Sequence, residues 1–177
     1  MDKVMDFLDS VGDELSSKQL KVGFLEGSTY LDGTSLPMVA ASNEFGNPAR
    51  GIPPRPFFRN AISENSDKWD ENTEQLMKSY NGNTDMVLDL MGAIIRDDVM
   101  RSIDNLSSPA LSPVTILLRS RFPMRSGMTF NDVLKAREDV KKGITGSGHD
   151  NPLIWTGEMQ NSVDYEVSEI ESSTDSQ

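Results

Sequence analysis

The sequence predicts an α+β domain: a small antiparallel sheet packed with two long helices, plus an extended arm or long loop. Three observations predict it. Apolar residues recur at helical spacing through two long central stretches, from Pro56 to Tyr80 and from Thr84 to about Asn105. Two short segments with strand alternation lie near opposite ends of the chain, at 20–25 and 163–167. Between the long helices and the second strand, Pro109, Pro113 and Pro123 interrupt any regular pattern over 107–128. The expected organisation is one domain over 1–170 with an irregular arm at about 107–150, then a disordered acidic tail over 171–177.

The elements follow in chain order. Val4, Leu8, Val11 and Leu15, spaced four, three and four apart, predict an amphipathic helix over 2–16. Leu20, Val22 and Phe24 then share one side of a strand. The Gly/Ser/Thr/Asp cluster at 26–35 is a loop, and Ser35 caps a short helix that tolerates Pro37 near its start and ends at Gly46. Four prolines in 47–56 exclude regular hydrogen bonding, and Pro56 suits the first turn of the first long helix, with Phe58, Ile62, Trp69, Leu76 and Tyr80 on one face. Asn81-Gly82-Asn83 breaks it. Thr84 or Asp85 caps the next helix, whose stripe is Met86, Val87, Leu90, Met91, Ile94, Ile95 and Val99. After the arm, Thr129 or Asn131 caps a polar helix over 129–142, and 143–152 is loop. Thr156 caps one helical turn before Val163, Tyr165 and Val167 alternate in a strand that partners 20–25.

Composition narrows the function classes. At 177 residues the chain buries a core without disulfides or metals, and with 36% hydrophobic residues that core is modest. The absence of cysteine excludes a disulfide framework, a thiolate metal site and a cysteine nucleophile. The start, MDKVMDFLDSVGDEL, interleaves acids with apolar residues and does not read as a secretory leader. No stretch approaches the length of a membrane span. A formal charge of −11 argues against tight nucleic-acid binding, which depends on Lys and Arg neutralising phosphates. Charge is also uneven. Arg119, Arg121, Arg125, Lys135, Arg137, Lys141 and Lys142 make 114–142 basic, whereas 150–177 holds acids and no base. Such segments either pair between subunits, with Arg119, Arg121 and Arg125 as the candidate contacts, or form two solvated surfaces.

Signals for catalysis are weak. The single histidine, His149, sits in a Gly/Ser loop beside Asp150 with only acids to complete a metal site, and reads as an exposed polar residue. Gly143-Ile-Thr-Gly-Ser-Gly148 lacks the Lys-[Ser/Thr] of a phosphate-binding loop and follows no strand, so it reads as a linker. Neither Asp32-Gly33 nor Asp97-Asp98 has calcium-loop spacing, and Glu158 with Asp164 is a pairing that 28 acids supply by chance. No enzymatic activity, cofactor or metal is expected.

The segment from Asn43 to Arg59 carries more information. A short apolar helix ends at a glycine, a Pro-rich tether with little conformational freedom to lose turns the chain, and a helix starts with two aromatics. Arg55 and Arg59 flank the Phe pair and, on a helical start, share one face. They suit a carboxylate on another subunit, or they are solvated arginines at a rigid corner.

KVGFLEG at 21–27, MVAASNEFG at 38–46 and IPPRPFFR at 52–59, followed by LSPVTI at 111–116 and NPLIWTGEMQNSVDYEV at 151–167, resemble the tailed-bacteriophage neck and tail-completion family, also termed virion morphogenesis or minor tail proteins. The pieces stand in the family's order and span about 20–167. The interval from Ile116 to Asn151 is longer than the family pattern, and Trp155 stands where a small or acidic residue is usual. The resemblance implies a small α+β structural protein of the head–tail neck, forming a homo-oligomeric ring of about six copies. Its implied partners are connector or portal-side proteins and tail terminator or tail tube proteins, and its location is the virion after synthesis in the host cytoplasm. Genomic DNA would pass through the lumen without specific binding, which an acidic wall favours by repulsion. The motif residues carried over are Asn43, Glu44, Phe45, Gly46, Pro53, Pro54, Arg55, Pro56, Phe57, Phe58 and Arg59, with roles in fold and assembly. The alternatives are a tail terminator or other minor tail component and, more distantly, an acidic inhibitor of a host protein.

Overall fold

The computed structural model describes residue 12 and residues 17–30, 32–124, 127–147 and 150–170. The helix expected over 2–16, Arg125, His149 and the tail at 171–177 lie outside them. Strands β1 (Lys18–Phe24) and β2 (Val163–Glu169) pair antiparallel, with Leu20 opposite Val167, Val22 opposite Tyr165 and Phe24 opposite Val163. Opposed residues in such a pair project to one face. The apolar sets of both strands therefore turn the same way, and Lys21, Asp164 and Glu166 turn the other. This is the partnership the sequence predicts, within a small α+β fold.

Three helices follow β1: α1 (Leu36–Phe45), α2 (Phe57–Ser79) and α3 (Thr84–Asn105). The Ser35 hydroxyl accepts the Met38 amide at the start of α1, and Gly46 ends it with φ of 74°. The helix α3 is the central element. Its first half lies under the sheet, where Lys18 pairs with Asp85 and the Tyr165 hydroxyl donates to Asp89 at 3.0 Å. Its second half supplies Val99 and Ile103 to a core that also contains Leu36, Ala40, Phe57, Ala61, Leu153, Met159 and Val163. Between the halves sits Gly92, where a Cβ would lie 2.2 Å from the Tyr165 ring.

Two details of the helix stripes differ from expectation. Ile62 and Tyr80 are 50% and 41% exposed, and the inward face of α2 runs instead through Phe57, Ala61 and Trp69. The Trp69 indole donates to Asp98 on α3 at 2.9 Å, which turns that face toward α3. Asn83, rather than Thr84 or Asp85, caps α3: its side chain accepts the Met86 amide at 3.1 Å, while Thr84 is buried as the first helical residue.

The larger correction concerns the arm. Within 107–128, Pro113–Arg121 forms a helix, α4, and it packs against α5 (Phe130–Lys141) as a helical hairpin. Local signals explain it. The Ser112 hydroxyl accepts the Thr115 amide at 3.1 Å, and Pro113 falls where a missing N–H has no consequence. Val114, Leu117 and Leu118, at helical spacing, bury against Val133, Ala136 and Val140. Thr129 and Asp132 cap α5 reciprocally. The prolines thus mark the hairpin's edges, and among the described residues of this region irregular chain remains at 106–112, 122–124, 127–129, 142–147 and 150–157. A single turn, α6 (Glu158–Asn161), leads into β2, with Thr156 accepting the Glu158 amide at 3.4 Å. Among the described residues no helix is long and apolar enough to cross a membrane.

Candidate functional site

The segment singled out from sequence folds into a closed corner. Gly46 is required there twice over, by its positive φ and because a Cβ would meet Pro54 N at 2.7 Å and Ile52 O at 2.9 Å. Asn47 and Ile52 exchange backbone hydrogen bonds of 2.8 and 3.0 Å around a 3₁₀ turn at Pro48–Arg50, so the Pro-rich tether is itself tied shut. The Arg55 amide donates to the Asn43 carbonyl at 2.6 Å, and the Asn43 side chain donates back to Val39 O at 3.0 Å.

Glu44 is the buried centre of this corner, only 5% exposed. Its carboxylate accepts the backbone amides of Phe58 at 2.9 Å and Arg59 at 3.3 Å, and the Arg59 Nε at 2.8 Å. Those two amides are among the first N–H groups of α2, which have no partner within the helix. The residue at the local cap position, Pro56, offers no side-chain acceptor. Glu44, from the previous helix, therefore caps α2 across space, with its charge at the positive end of the helix dipole. Arg59 completes the joint: Nη2 donates to the Glu44 carbonyl at 2.8 Å, and the guanidinium lies 5.5 Å from the Phe45 ring centre. The carboxylate for Arg59 is thus in the same chain.

Behind the corner, Phe57 is fully buried and packs with Phe24 and Phe58 at centroid distances of 5.0 to 6.2 Å. The Ser102 hydroxyl on α3 donates to Phe57 O at 2.7 Å. In front, Phe45 and Met38 are each 69% exposed, and Phe45 borders an apolar cleft of about 410 Å³ shared with Val22, Phe24, Pro37, Ala41 and Phe58.

Arg55 does not share a face with Arg59, because α2 begins only at Phe57. It turns inward, is 8% exposed, and donates to Pro109 O at 3.5 Å. Burial pulls its pKa below the usual arginine value. Arg119 is shifted the same way, first by burial and then by the charge of Arg55. Its guanidinium donates to three carbonyls, Asn151 at 2.5 Å, Ile154 at 2.6 Å and Pro152 at 3.0 Å, and lies over the Trp155 ring. Arg121 donates to Asp139 at 2.6 Å, tying α4 to α5. Arg119 and Arg121, candidates for contacts between subunits, are both engaged inside the chain.

Sequence reasoning missed Asn151. Its side-chain amide donates to Ile103 O and Asp104 O at the end of α3, and its oxygen accepts from Leu153 N and Ile154 N. One residue thus closes a helix C-terminus and an Asx turn, and the Asn-Pro dipeptide was its only local signal. Also missed was Gly146, in the stretch read as a linker. A Cβ there would lie 2.7 Å from Ile116 O, so this loop lies directly on the α4 backbone.

The corner holds its one buried carboxylate among N–H donors, a strut between two helices with an apolar cleft at its side. Among the described residues no group of three His, Asp or Glu side chains forms a metal site. Compared with known proteins, the chain matches no family model, no curated protein and no solved structure.

Proposed function

We propose that this protein is a structural subunit of a tailed-phage neck: a tail-completion or head–tail joining protein that assembles as a ring around the DNA channel. The observation that carries the reading is the agreement between motif and joint. The motif residues carried over from the resemblance, Asn43 to Gly46 and Pro53 to Arg59, are those that set α1 and α2 at a fixed angle through Glu44. A ring subunit needs such rigidity, since each copy must present the same two contact surfaces at the same angle to close the circle. Exposed Phe45, at the edge of the apolar cleft, supplies an apolar surface for such a contact. Connector-side and tail-side proteins are the proposed neighbours, and a chain of net charge −11 suits a conduit that DNA traverses without binding.

Deleting the gene from its phage and imaging the particles tests this. The expected result is filled heads and separate tails, with attachment restored by the wild-type gene. Normally joined particles, or virions lacking the chain by mass spectrometry, would sink the reading. A tail terminator would instead give tails of irregular length. An acidic host-directed inhibitor would be absent from virions and would compete with DNA for a host protein.

A further inference from the structure

The α4–α5 hairpin presents an unpartnered surface of two characters. Met124, Phe130 and Leu134 are 71%, 73% and 42% exposed, and Phe130 and Leu134 stand four apart on one face of α5. Around them Lys135, Arg137, Lys141 and Lys142 are exposed and form no ion pair with a described residue; against these four bases stands one exposed acid, Glu138, since Asp132 and Asp139 are occupied by Thr129 and Arg121. Basic charge surrounding large apolar side chains calls for an occupant that is acidic and apolar at once.

The chain contains such a segment. Over 2–16, Val4, Leu8, Val11 and Leu15 form a stripe at helical spacing, with Asp2, Asp6, Asp9, Asp13 and Glu14 against a single Lys3. As a helix it would extend about 22 Å, comparable with the roughly 18 Å of the 12-residue α5.

Segment and hairpin join the body at different places. Lys18, where the segment joins β1, is paired with Asp85 at the start of α3. The hairpin joins the body at the opposite end of α3, where Arg119 holds Asn151 and Asn151 holds the carbonyls of Ile103 and Asp104. Residues 85 and 104 are about 28 Å apart along a helix. The segment and the hairpin are thus rooted at opposite ends of α3, a separation that a neighbouring molecule bridges.

We propose that the acidic amphipathic segment 2–16 of one copy docks on the Phe130/Leu134 face of the α4–α5 hairpin of the next. This is a head-to-tail contact, of the kind that closes into a ring. It rests on the oligomeric part of the neck reading and adds the elements that meet.

The chain has no cysteine, so disulfide trapping in the full-length protein is clean. Leu8→Cys protein mixed with Leu134→Cys protein is oxidised, with circular dichroism checking that each variant is folded, and Met38→Cys serves as an exposed control on α1. The expected product is a disulfide-linked heterodimer, formed at least about tenfold more than with Met38→Cys and reduced by high salt. In addition, Phe130→Asp with Leu134→Asp, both exposed in the wild type, should weaken self-association by about tenfold or more in sedimentation experiments. Equal trapping by the control, no trapping, or closure within one chain carrying both Leu8→Cys and Leu134→Cys would overturn the proposal. If the wild type sediments as an oligomer and trapping fails, only this contact falls. If it is monomeric at all concentrations, the ring reading falls with it.

Discussion

Glu44 and Arg59 are joined twice, by Arg59 Nε on the Glu44 carboxylate and by Arg59 Nη2 on the Glu44 carbonyl, each at 2.8 Å. The two partners are unequal. The Glu44 side chain is 6% exposed and Arg59's is 57% exposed. An exposed charge partner adds little, whereas a buried carboxylate that satisfies two helix amides leaves them orphaned when it is removed. Glu44→Ala should therefore cost about 2–4 kcal/mol, Glu44→Gln about 1–2 because one oxygen still accepts, and Arg59→Ala less than about 1. Urea unfolding of the three variants measures the order, and a larger loss for Arg59→Ala than for Glu44→Ala contradicts it.

Gly92→Ala tests the contact between helix and sheet. Alanine has the better helix propensity by about 1 kcal/mol. Its Cβ would, however, fall 2.2 Å from the Tyr165 ring, which is held to Asp89 at 3.0 Å and lies under Arg96. Overpacking of this kind costs about 1–3 kcal/mol, so the net effect should be destabilising. Combining it with Tyr165→Ala should recover the alanine gain relative to Tyr165→Ala alone, which a double-mutant cycle by thermal unfolding reads directly.

Arg119→Ala should loosen the hairpin more than the body, because it strips the donor from the carbonyls of Asn151, Pro152 and Ile154 at once. A loss of about 2–4 kcal/mol is expected, and Arg119→Lys should recover little of it, since an ammonium group does not span three carbonyls as a planar fork does. Hydrogen exchange should accelerate across α4 and α5 while the paired helices α2 and α3 keep their protection. Uniform acceleration would show that the hairpin and body unfold together.

The hairpin should also be the acid-sensitive part of the fold. The Arg121 hydrogen bond lowers the pKa of Asp139, and the Thr129 hydroxyl and amide lower that of Asp132. A carboxylate with a depressed folded-state pKa contributes stability above its unfolded value, near 4, and that stability is lost as pH falls from there through the folded value. The Trp155 indole N–H, which donates to Phe122 O at the end of α4, reports on it. Its NMR resonance should shift below about pH 4, and Arg121→Met should move the onset upward.

The corner was legible as a corner. Gly46, the prolines and the Phe pair are local signals, because a positive φ, a missing N–H and a helix start are properties of single residues and their neighbours. The cap on α2 was not legible. Pro56 offers no acceptor, and nothing in residues 53–60 indicates that the acceptor is Glu44, on the preceding helix. Arg55 was ambiguous for the same reason: whether it faces solvent or the Pro109 carbonyl depends on where 106–112 returns.

The sequence by itself determined the strands, their partnership and the three central helices, because each repeats apolar residues at the period of its own geometry. The α4 helix had local signals too, in Ser112, Pro113 and the Leu117–Leu118 pair, but the surrounding prolines pointed to an irregular arm and the structure overturned that expectation. Tertiary structure alone decided that Glu44 caps a helix it does not belong to, that Tyr165 needs a glycine at position 92, and that Asn151 closes α3. The physical reason is common to all three. An orphaned amide or carbonyl, or a hollow on a helix face, is filled by whatever the fold brings near, and a contact across 14 or more residues of chain leaves no period in the sequence.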